Sequence, residues 1–418
     1  MTAKRSYILG ECTPSRIEEP VDAVAVAAVL ASAAADRKAV VAFGGGTLQT
    51  IGSAPSRYDI ALSLRKLDRV IDYDHRDLTI GLDAGVTIDT VNRTLAKAGQ
   101  FIPFDAPQPS LATVGGTLAA GWTGPRSAAY GRLRDVLIGS TAALPDGTLA
   151  SAGGMVVKNV TGYDMSKLYV GSLGTLGILV RANFKALPRA PNRRLALAPL
   201  PDDARERAIA AIAHLTIEPT AALVVDGFFR AVPRVRDEDA RLIVLFEGSA
   251  AVIERATRDL RSALGAAGVA ETALFDDAAA EKTLQNVIDA YIEPVGDRSV
   301  TYRSHGLASN AWARAGASLA LARDHGLACD TIADIRSGVA IARVAGRTHA
   351  ALSEWLTEFD ANIRRVIPQS TVLAGDVRLR ARVDAWGAPP STIETMRALK
   401  ARFDPTSMLA PGRYVGGI

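Results

Sequence analysis

Glycine-rich turns between residues 44 and 178 constrain the fold of this chain more than any other feature. In chain order these segments are FGGGT (Phe43–Thr47), TVGGT (Thr113–Thr117), GWTGPR (Gly121–Arg126), KNVTGYD (Lys158–Asp164) and GSLGTLGI (Gly171–Ile178). Because glycine has no Cβ atom, its backbone N–H groups can approach a ligand closely. Successive amides in such a turn form a concave surface that binds anionic oxygens. Several such turns in one stretch of chain therefore predict a single long ligand that carries phosphate.

Composition places the chain among ordinary globular proteins. It has 418 residues, of which 48% are hydrophobic and 22% charged, and this length predicts two or three domains. The net charge of +4 is spread along the chain without a long run of like charges, which argues against nucleic acid as a partner. The N-terminus shows no secretory signal pattern, and the apolar run Val24–Ala35 is too short to cross a bilayer.

The cysteines indicate a reducing compartment and no metal cluster in this chain. There are 2 cysteines, Cys12 and Cys329, and no CxxC motif. This pattern excludes a disulfide framework, a zinc knuckle and an iron–sulfur cluster held by this chain alone. We therefore expect a cytoplasmic protein without a bound metal, which at most associates with the inner face of a membrane through partners.

Two regions of different pattern predict two domains. Up to Pro188, short strands and helices alternate with the turns described above, including a helix from Pro20 to about Arg37. From Arg194 to about Ala374 the glycine turns disappear, and strands alternate with longer helices. The last segment carries turn-forming motifs again. We predict an α+β fold with domains at residues 1–190 and 191–375, and a C-terminal segment, 376–418, that returns to the first domain.

Two common nucleotide-binding motifs do not fit these turns. A Rossmann fingerprint requires a helix directly after the glycines, but Gly52 and Pro55 would interrupt a helix that follows FGGGT. A Walker loop requires Gly-Lys followed by Ser or Thr, and this sequence is absent.

The turns, in this order, resemble the FAD-binding domain of the vanillyl-alcohol-oxidase family, also called the p-cresol methylhydroxylase (PCMH) type. The resemblance covers roughly residues 20–188 and implies a two-subdomain FAD-binding domain followed by an α+β cap domain made of a sheet and helices. It also implies roles for individual residues. The pyrophosphate would be bound through the backbone of Gly44, Gly45, Gly46 and Thr47 and of Thr113, Gly115, Gly116 and Thr117. The isoalloxazine and ribityl chain would lie near Gly121, Thr123, Gly124 and Arg126, and the adenosine end near Gly174, Gly177 and Ile178.

The sequence departs from that family at three positions. Thr47 stands where covalent members carry a histidine, so we expect FAD to be bound noncovalently. Phe43 stands where many members have arginine, and Ala410 replaces the asparagine of a common LNPGR ending. Lys158 and Asn159 are further polar candidates at the flavin edge.

Motifs at both ends of the chain resemble the smaller FAD-binding subunits of bacterial glycolate oxidase (glycolate dehydrogenase). They are YGRLRDVLIG (Tyr130–Gly139), KNVTGYDMSKLYVGSLGTLGIL (Lys158–Leu179), DAWGAPP (Asp384–Pro390) and FDPTSMLAPGRY (Phe403–Tyr414). This resemblance implies oxidation of glycolate, a small 2-hydroxy acid, to glyoxylate. It also implies a larger FAD-binding catalytic subunit and an iron–sulfur subunit as partners. The alternatives are a non-catalytic FAD-binding or assembly subunit, and a stand-alone flavin oxidase or dehydrogenase of another hydroxy acid or alcohol.

The sequence does not identify a catalytic base. The 5 histidines are isolated in the sequence, and the candidates for substrate contacts are His305, Arg303, Arg336 and Arg343. For the cofactor site, we expect Gly45→Val or Gly115→Val to block access to the pyrophosphate and to leave a folded apoprotein.

Overall fold

The computed structural model describes residues 7–156, 163–228 and 240–418. These residues divide into two compact units. Unit 1 contains Met1–Thr123, Arg132–Arg189 and Arg380–Ile418, and unit 2 contains Gly124–Gly131 and Ala190–Leu379. The sequence placed the domain boundaries after residues 190 and 375, and it gave no sign that Gly124–Gly131 belongs with unit 2.

The strands of the described residues lie as follows. They are β1 (Arg16–Glu18), β2 (Val40–Phe43), β3 (Ile60–Ser63), β4 (Val70–Asp74), β5 (Thr79–Asp83), β6 (Gln100–Phe101), β7 (Leu137–Ala143), β8 (Leu149–Gly153), β9 (Ile178–Lys185), β10 (Leu187–Pro188), β11 (Asn192–Leu200), β12 (Ala221–Asp226), β13 (Ala240–Gly248), β14 (Ala273–Asp276), β15 (Ser299–His305), β16 (Ala328–Asp334), β17 (Val339–Ala345) and β18 (Ser370–Gly375).

The α-helices of the same residues follow the same order. They are α1 (Ala23–Ala35), α2 (Ile88–Ala96), α3 (Val114–Ala119), α4 (Ser127–Tyr130), α5 (Leu133–Val136), α6 (Ser166–Tyr169), α7 (Arg205–Ala213), α8 (Ala250–Ala266), α9 (Asp277–Ala290), α10 (Ala311–Asp324), α11 (His349–Val366), α12 (Val377–Arg380) and α13 (Ile393–Phe403).

The described residues of unit 1 form three sheets, of which the smallest pairs β10 with β6. The two larger sheets are a parallel one, with the strand order β1-β3-β2, and an antiparallel one, with the order β4-β5-β9-β7-β8. A shared core joins them, because Leu30 of α1, Leu62 of β3 and Val180 of β9 are fully buried in one cluster with Leu409 from the C-terminal segment. The C-terminal segment also pairs with β2, since the Val40 amide donates to the Met408 carbonyl over 2.8 Å.

Unit 2 is an antiparallel sheet with helices. Among the described residues its strand order is β14-β11-β13-β12-β16-β17-β15-β18. On one face Phe246 and Val244 of β13 pack with Leu260 of α8 and Ala315 of α10. The sheet-and-helix pattern predicted for residues 191–375 is confirmed in fold class.

Two local predictions need correction. The first helix begins at Ala23 and not near Pro20, because the Asp22 carboxylate caps it by accepting the Ala25 amide over 2.8 Å. The TVGGT segment is not an irregular turn, because Thr113 caps the short helix α3 and its hydroxyl accepts the Gly116 amide over 3.3 Å.

Candidate functional site

A cavity in unit 1 gathers most of the predicted cofactor residues. The end of β2, the start of α3 and the turn that leads into β9 form its walls. Its lining comprises Val41, Ala42, Phe43, Gly44, Gly45, Gly46, Thr47, Leu48, Gln49, Leu64, Thr113, Gly115, Gly116, Thr117, Ala119, Ala120, Leu173, Gly174, Ile178, Leu179 and Arg413.

The loop after β2 presents unused hydrogen-bond donors. Within the described residues, none of the backbone amides from Gly44 to Leu48 donates a hydrogen bond. On the other side of this loop, Arg65 Nε donates to the Gly44 carbonyl over 2.9 Å and Arg65 Nη2 to the Gly45 carbonyl over 3.1 Å. Since the C=O and the following N–H of a trans peptide point in opposite directions, the Gly45 and Gly46 amides point away from Arg65. This run of free amides is suited to an anionic ligand.

The glycines of this loop have different surroundings. A Cβ at Gly44 would overlap the Thr113 side chain, and a Cβ at Gly45 would overlap the Leu111 carbonyl. At Gly46, φ is +82° and a Cβ would meet no atom within 4 Å. Gly44 and Gly45 are thus required for contact between two segments of the protein, and Gly46 faces open space.

The same consideration overturns the expectation for the valine variants. A Cβ at Gly115 would lie 2.7 Å from the Ala84 Cβ, so the space where a side chain would stand is filled by protein, although the residue itself lines the cavity. Valine at position 45 or 115 would overlap neighbouring atoms and disturb the fold, because a close-packed interior does not accept extra side-chain atoms. A folded apoprotein is not the expected result.

The TVGGT segment contributes a wall and not a set of free donors. The Val114 amide donates to Val86 O, the Gly115 amide to Ala84 O, the Gly116 amide to the Thr113 hydroxyl and the Thr117 amide to Thr113 O. The hydroxyl of Thr117 also donates to Thr113 O, over 2.8 Å. The Gly115, Gly116 and Thr117 amides, which were predicted to bind the pyrophosphate, therefore donate to oxygen atoms of the protein itself. All four predicted residues of this segment nevertheless line the cavity.

The GSLGTLGI turn closes another side of the cavity. Leu173 and Gly174 both have left-handed backbones, with φ of 53° and 75°. No described residue accepts a hydrogen bond from the Gly174 amide, so this amide is a further free donor in the cavity wall. Ile178 lines the same wall, whereas Gly177 lies off it, where a Cβ would be 3.1 Å from the Tyr169 ring.

The segment predicted to lie near the flavin ring does not line this cavity. Gly121 packs against Gly171, and Thr123 is the last residue of unit 1 before the chain enters unit 2. Gly124 and Arg126 belong to unit 2. There, Arg126 Nη2 lies 2.5 Å from Glu281 Oε2 and 3.4 Å from Glu247 Oε1, so its charge is used in a largely buried ion-pair cluster.

Sequence reasoning missed three arginines that contact the cofactor loop. Arg65 is described above, and Arg380 and Arg413 bind carbonyl groups at the other end of the loop. The LAPGR motif drew attention to Ala410 and not to Arg413. No pattern in the sequence links positions this far apart. Lys158 and Asn159 lie outside the described residues.

The candidates for substrate contacts in unit 2 differ in their partners. Arg343 Nη2 pairs with Asp330 over 2.5 Å, and Arg336 Nη2 pairs with Glu218 over 2.7 Å. His305 is exposed at the end of β15. Arg303 belongs to no ion pair in the described part of the chain. Its Nε, like that of Arg336, is buried there without a hydrogen-bond partner, and burial lowers the pKa of Arg303 to about 10.

The described residues contain no group of three or more His, Cys, Asp or Glu residues that could hold a metal ion. None of their helices is long and apolar enough to span a membrane.

Two segments match known protein families. Residues 14–153 match the FAD binding domain family, and residues 386–414 match the C-terminal domain of FAD linked oxidases. The first segment contains the loop with the free amides, and the second contains Arg413. These matches confirm FAD as the predicted cofactor.

The curated relatives match over part of the chain. Glycolate oxidase subunit GlcE of Escherichia coli is 40% identical over 31% of this chain and 37% of its own length. Glycolate oxidase subunit GlcD of Bacillus subtilis is 31% identical over 44% of this chain and 39% of its own length. The chain thus spans less than half the length of each of these relatives.

The crystal structure of p-cresol methylhydroxylase is similar over nearly the whole chain. The TM-score is 0.74, with 15% sequence identity, and the match covers 95% of this chain and 88% of that one. At this identity the likeness concerns the fold, and it confirms the predicted p-cresol methylhydroxylase type.

Proposed function

We propose that this chain, with its FAD binding domain at residues 14–153, is the FAD-binding subunit of an oxidoreductase complex that oxidises glycolate or a similar 2-hydroxy acid. The observation that carries this proposal is the run of unpartnered amides from Gly44 to Leu48 in the wall of the cavity. A dianionic diphosphate bridge matches these donors, because charge-assisted hydrogen bonds to backbone N–H groups are about twice as strong as neutral ones.

The rest of the cavity fits a dinucleotide in chemistry. Gly46 leaves open space where a side chain would stand, and Gly174 adds a donor on the facing turn. Leu48, Leu179 and Ile178 supply apolar wall. Thr47, without a nucleophilic ring nitrogen, supports noncovalent binding. When bound, FAD would accept the two electrons removed from the alcohol carbon of the substrate.

The substrate class rests on the relatives. Glycolate oxidase subunits are among them, and a 2-hydroxy acid carries a carboxylate that requires a cation. Among the candidates named in the sequence, Arg303 and Arg336 both have a buried Nε without a hydrogen-bond partner in the described part of the chain, and Arg303 belongs to no ion pair there. We further propose a larger FAD-binding catalytic subunit and an iron–sulfur subunit as partners. The iron–sulfur subunit would receive the electrons from the flavin.

The test is a spectrum of the purified chain before and after substrate. We expect a yellow protein with flavin absorption, which bleaches when glycolate is added under anaerobic conditions. D-lactate in a parallel sample tests the breadth of the substrate class. The partners are tested by co-purification from cells that express the neighbouring subunits.

Other results would change the proposal in distinct ways. The isolated protein could be yellow and not be bleached by either substrate, yet be reduced when its partner subunits are present. This result would place the oxidation step in another subunit. A yellow protein that is reduced by another alcohol and not by hydroxy acids would indicate a stand-alone oxidase. A colourless protein that does not take up added FAD would contradict the proposal.

A further inference from the structure

We propose that Arg380 and Arg413 are positioning residues of the cofactor site, which hold the loop Gly44–Gly52 in its binding form and supply positive charge for a bound diphosphate. This inference rests on the proposed function, since it assumes that the cavity binds FAD. It extends the site to the C-terminal segment of unit 1. Arg413 is 364 positions from Gln49 in the sequence, and Arg380 is 330 positions from Thr50.

The contacts fix the second half of the loop. Arg413 Nη2 donates to the Gln49 carbonyl over 3.1 Å and to the Ile51 carbonyl over 2.8 Å. Arg380 Nη2 donates to the Thr50 carbonyl and, over 2.7 Å, to the Gly52 carbonyl. Four successive carbonyl groups are therefore bound by two side chains.

The first half of the loop is fixed by a third cation. Arg65 binds the Gly44 and Gly45 carbonyls, as described above. The free amides from Gly44 to Leu48 thus lie in a loop whose two ends are both held by guanidinium groups. Holding the ends orients the amides before a ligand arrives, and this reduces the ordering cost of binding.

The charges of Arg380 and Arg413 are not balanced by carboxylates. In the described part of the chain neither guanidinium lies within 4.0 Å of a carboxylate oxygen, since neither belongs to any of the ion pairs found there. Arg413 is 3% exposed and lines the cavity. The Nε of Arg380 is buried without a hydrogen-bond partner among these residues.

Burial of both cations has a cost that an anion would offset. Burial, together with the nearby positive charge of Arg380, lowers the pKa of Arg413 to about 10. Burial also lowers the pKa of Arg380 to about 10. A shift in this direction means that the charged form is disfavoured in the protein without ligand. A diphosphate in the cavity would supply the missing negative charge.

The experiment compares Arg413→Gln and Arg380→Gln with the wild type and with Arg57→Gln. Arg57 is an exposed arginine that donates to the Ser407 carbonyl of the same C-terminal segment, so its variant is a matched control. Apoprotein is titrated with FAD at low and high salt, with inorganic pyrophosphate as a phosphate-only probe and riboflavin as a phosphate-free probe. Unfolding midpoints are measured for every variant.

We expect each of the two test variants to bind FAD at least about tenfold more weakly, because each loses one charge-assisted interaction. The affinity of each variant for FAD should also depend less on salt. Pyrophosphate binding should weaken in parallel, while riboflavin binding and the Arg57→Gln variant should match the wild type. Arg413→Lys keeps the charge and should recover part of the affinity and the wild-type salt dependence.

The inference is overturned if both test variants bind FAD and pyrophosphate as the wild type does. It is also overturned if FAD and riboflavin weaken equally, or if Arg413→Lys behaves like Arg413→Gln in salt dependence, because a purely structural role would give these results. A wild type that binds pyrophosphate in an arginine-dependent way but never FAD would support the charge assignment and contradict the proposed function instead.

Discussion

The glycines around the cavity serve two different purposes. Gly45 and Gly115 lack a side chain because a neighbouring segment of the protein occupies that space. Gly46 lacks one where the space is open and where φ is +82°. Only the second kind leaves room for a ligand, so the effect of a substitution depends on which neighbour the missing Cβ would meet.

Gly45→Ala is expected to destabilise unit 1 by about 1–3 kcal/mol, the usual cost of adding atoms to a well-packed site. The added methyl group would overlap the Leu111 carbonyl. The free energy of unfolding in urea measures this effect. Gly154→Ala is the matched control, since a Cβ there would meet no atom within 4 Å. Equal stability of the two variants would contradict this packing role of Gly45.

At the residue scale, the sequence predicted the positions of the important glycines but not their surroundings. Ten of the fifteen predicted residues line the cavity, because their turn-forming pattern is local in the chain. Arg126 was predicted near the flavin from its place in a motif. Its partner Glu247 is 121 positions away, and no local pattern reveals such a pairing.

At the scale of elements, the start of a helix can be marked by a capping residue in the sequence. Helix α2 begins after Thr87, whose hydroxyl accepts a hydrogen bond from the Thr90 amide over 3.2 Å, and threonine is a favoured residue at this position. The short helix α3 was not predicted, because two glycines favour turns when read without their tertiary contacts. The helix forms where the Val114 and Gly115 amides are bound by Val86 and Ala84 of a neighbouring segment.

A buried lysine of helix α13 forms hydrogen bonds with other segments of unit 1. Lys400 Nζ donates to Thr175 O and Leu409 O, both over 2.8 Å, and to Asp404 Oδ2 over 2.6 Å. Asp404 also accepts the Met408 and Leu409 amides. Burial lowers the pKa of Lys400, and the adjacent Asp404 opposes that shift.

Lys400→Met is expected to lower the free energy of unfolding by about 3 kcal/mol, because it leaves the fully buried carboxylate of Asp404 without its cation. Urea unfolding measures the loss. Arg402→Met is the control on the same helix, since Arg402 is exposed. A loss no larger than that of the control would show that the Lys400–Asp404 pair does not stabilise this segment.

At the scale of the whole molecule, the chain passes between the two units more than once. Gly124–Gly131 belongs to unit 2, although unit 1 residues precede and follow it. In unit 2, Arg126 and Arg193 share the carboxylates of Glu247 and Glu281, and the Tyr130 hydroxyl donates to Glu247 over 3.0 Å. This cluster includes Arg126 and so explains why that residue is not available in the cavity.

Arg126→Ala is expected to destabilise unit 2 by about 2–3 kcal/mol, less than the full cost of breaking a buried pair because Arg193 remains near Glu247. The FAD content of the folded fraction should not change. Stability is measured by urea unfolding and FAD content by absorbance. Arg134→Ala, at an exposed position further along the chain in unit 1, is the control. Loss of FAD without loss of stability would instead support the flavin contact that the sequence suggested.

The pairing of Val40 with Leu409 has a consequence for how the protein is made. A ribosome releases the first strands of unit 1 long before residues 380–418, so the outer edge of β2 lacks its neighbour until those residues have been synthesised. Arg380 and Arg413 arrive with the same segment, and we therefore expect the loop Gly44–Gly52 to gain its full set of carbonyl contacts only then.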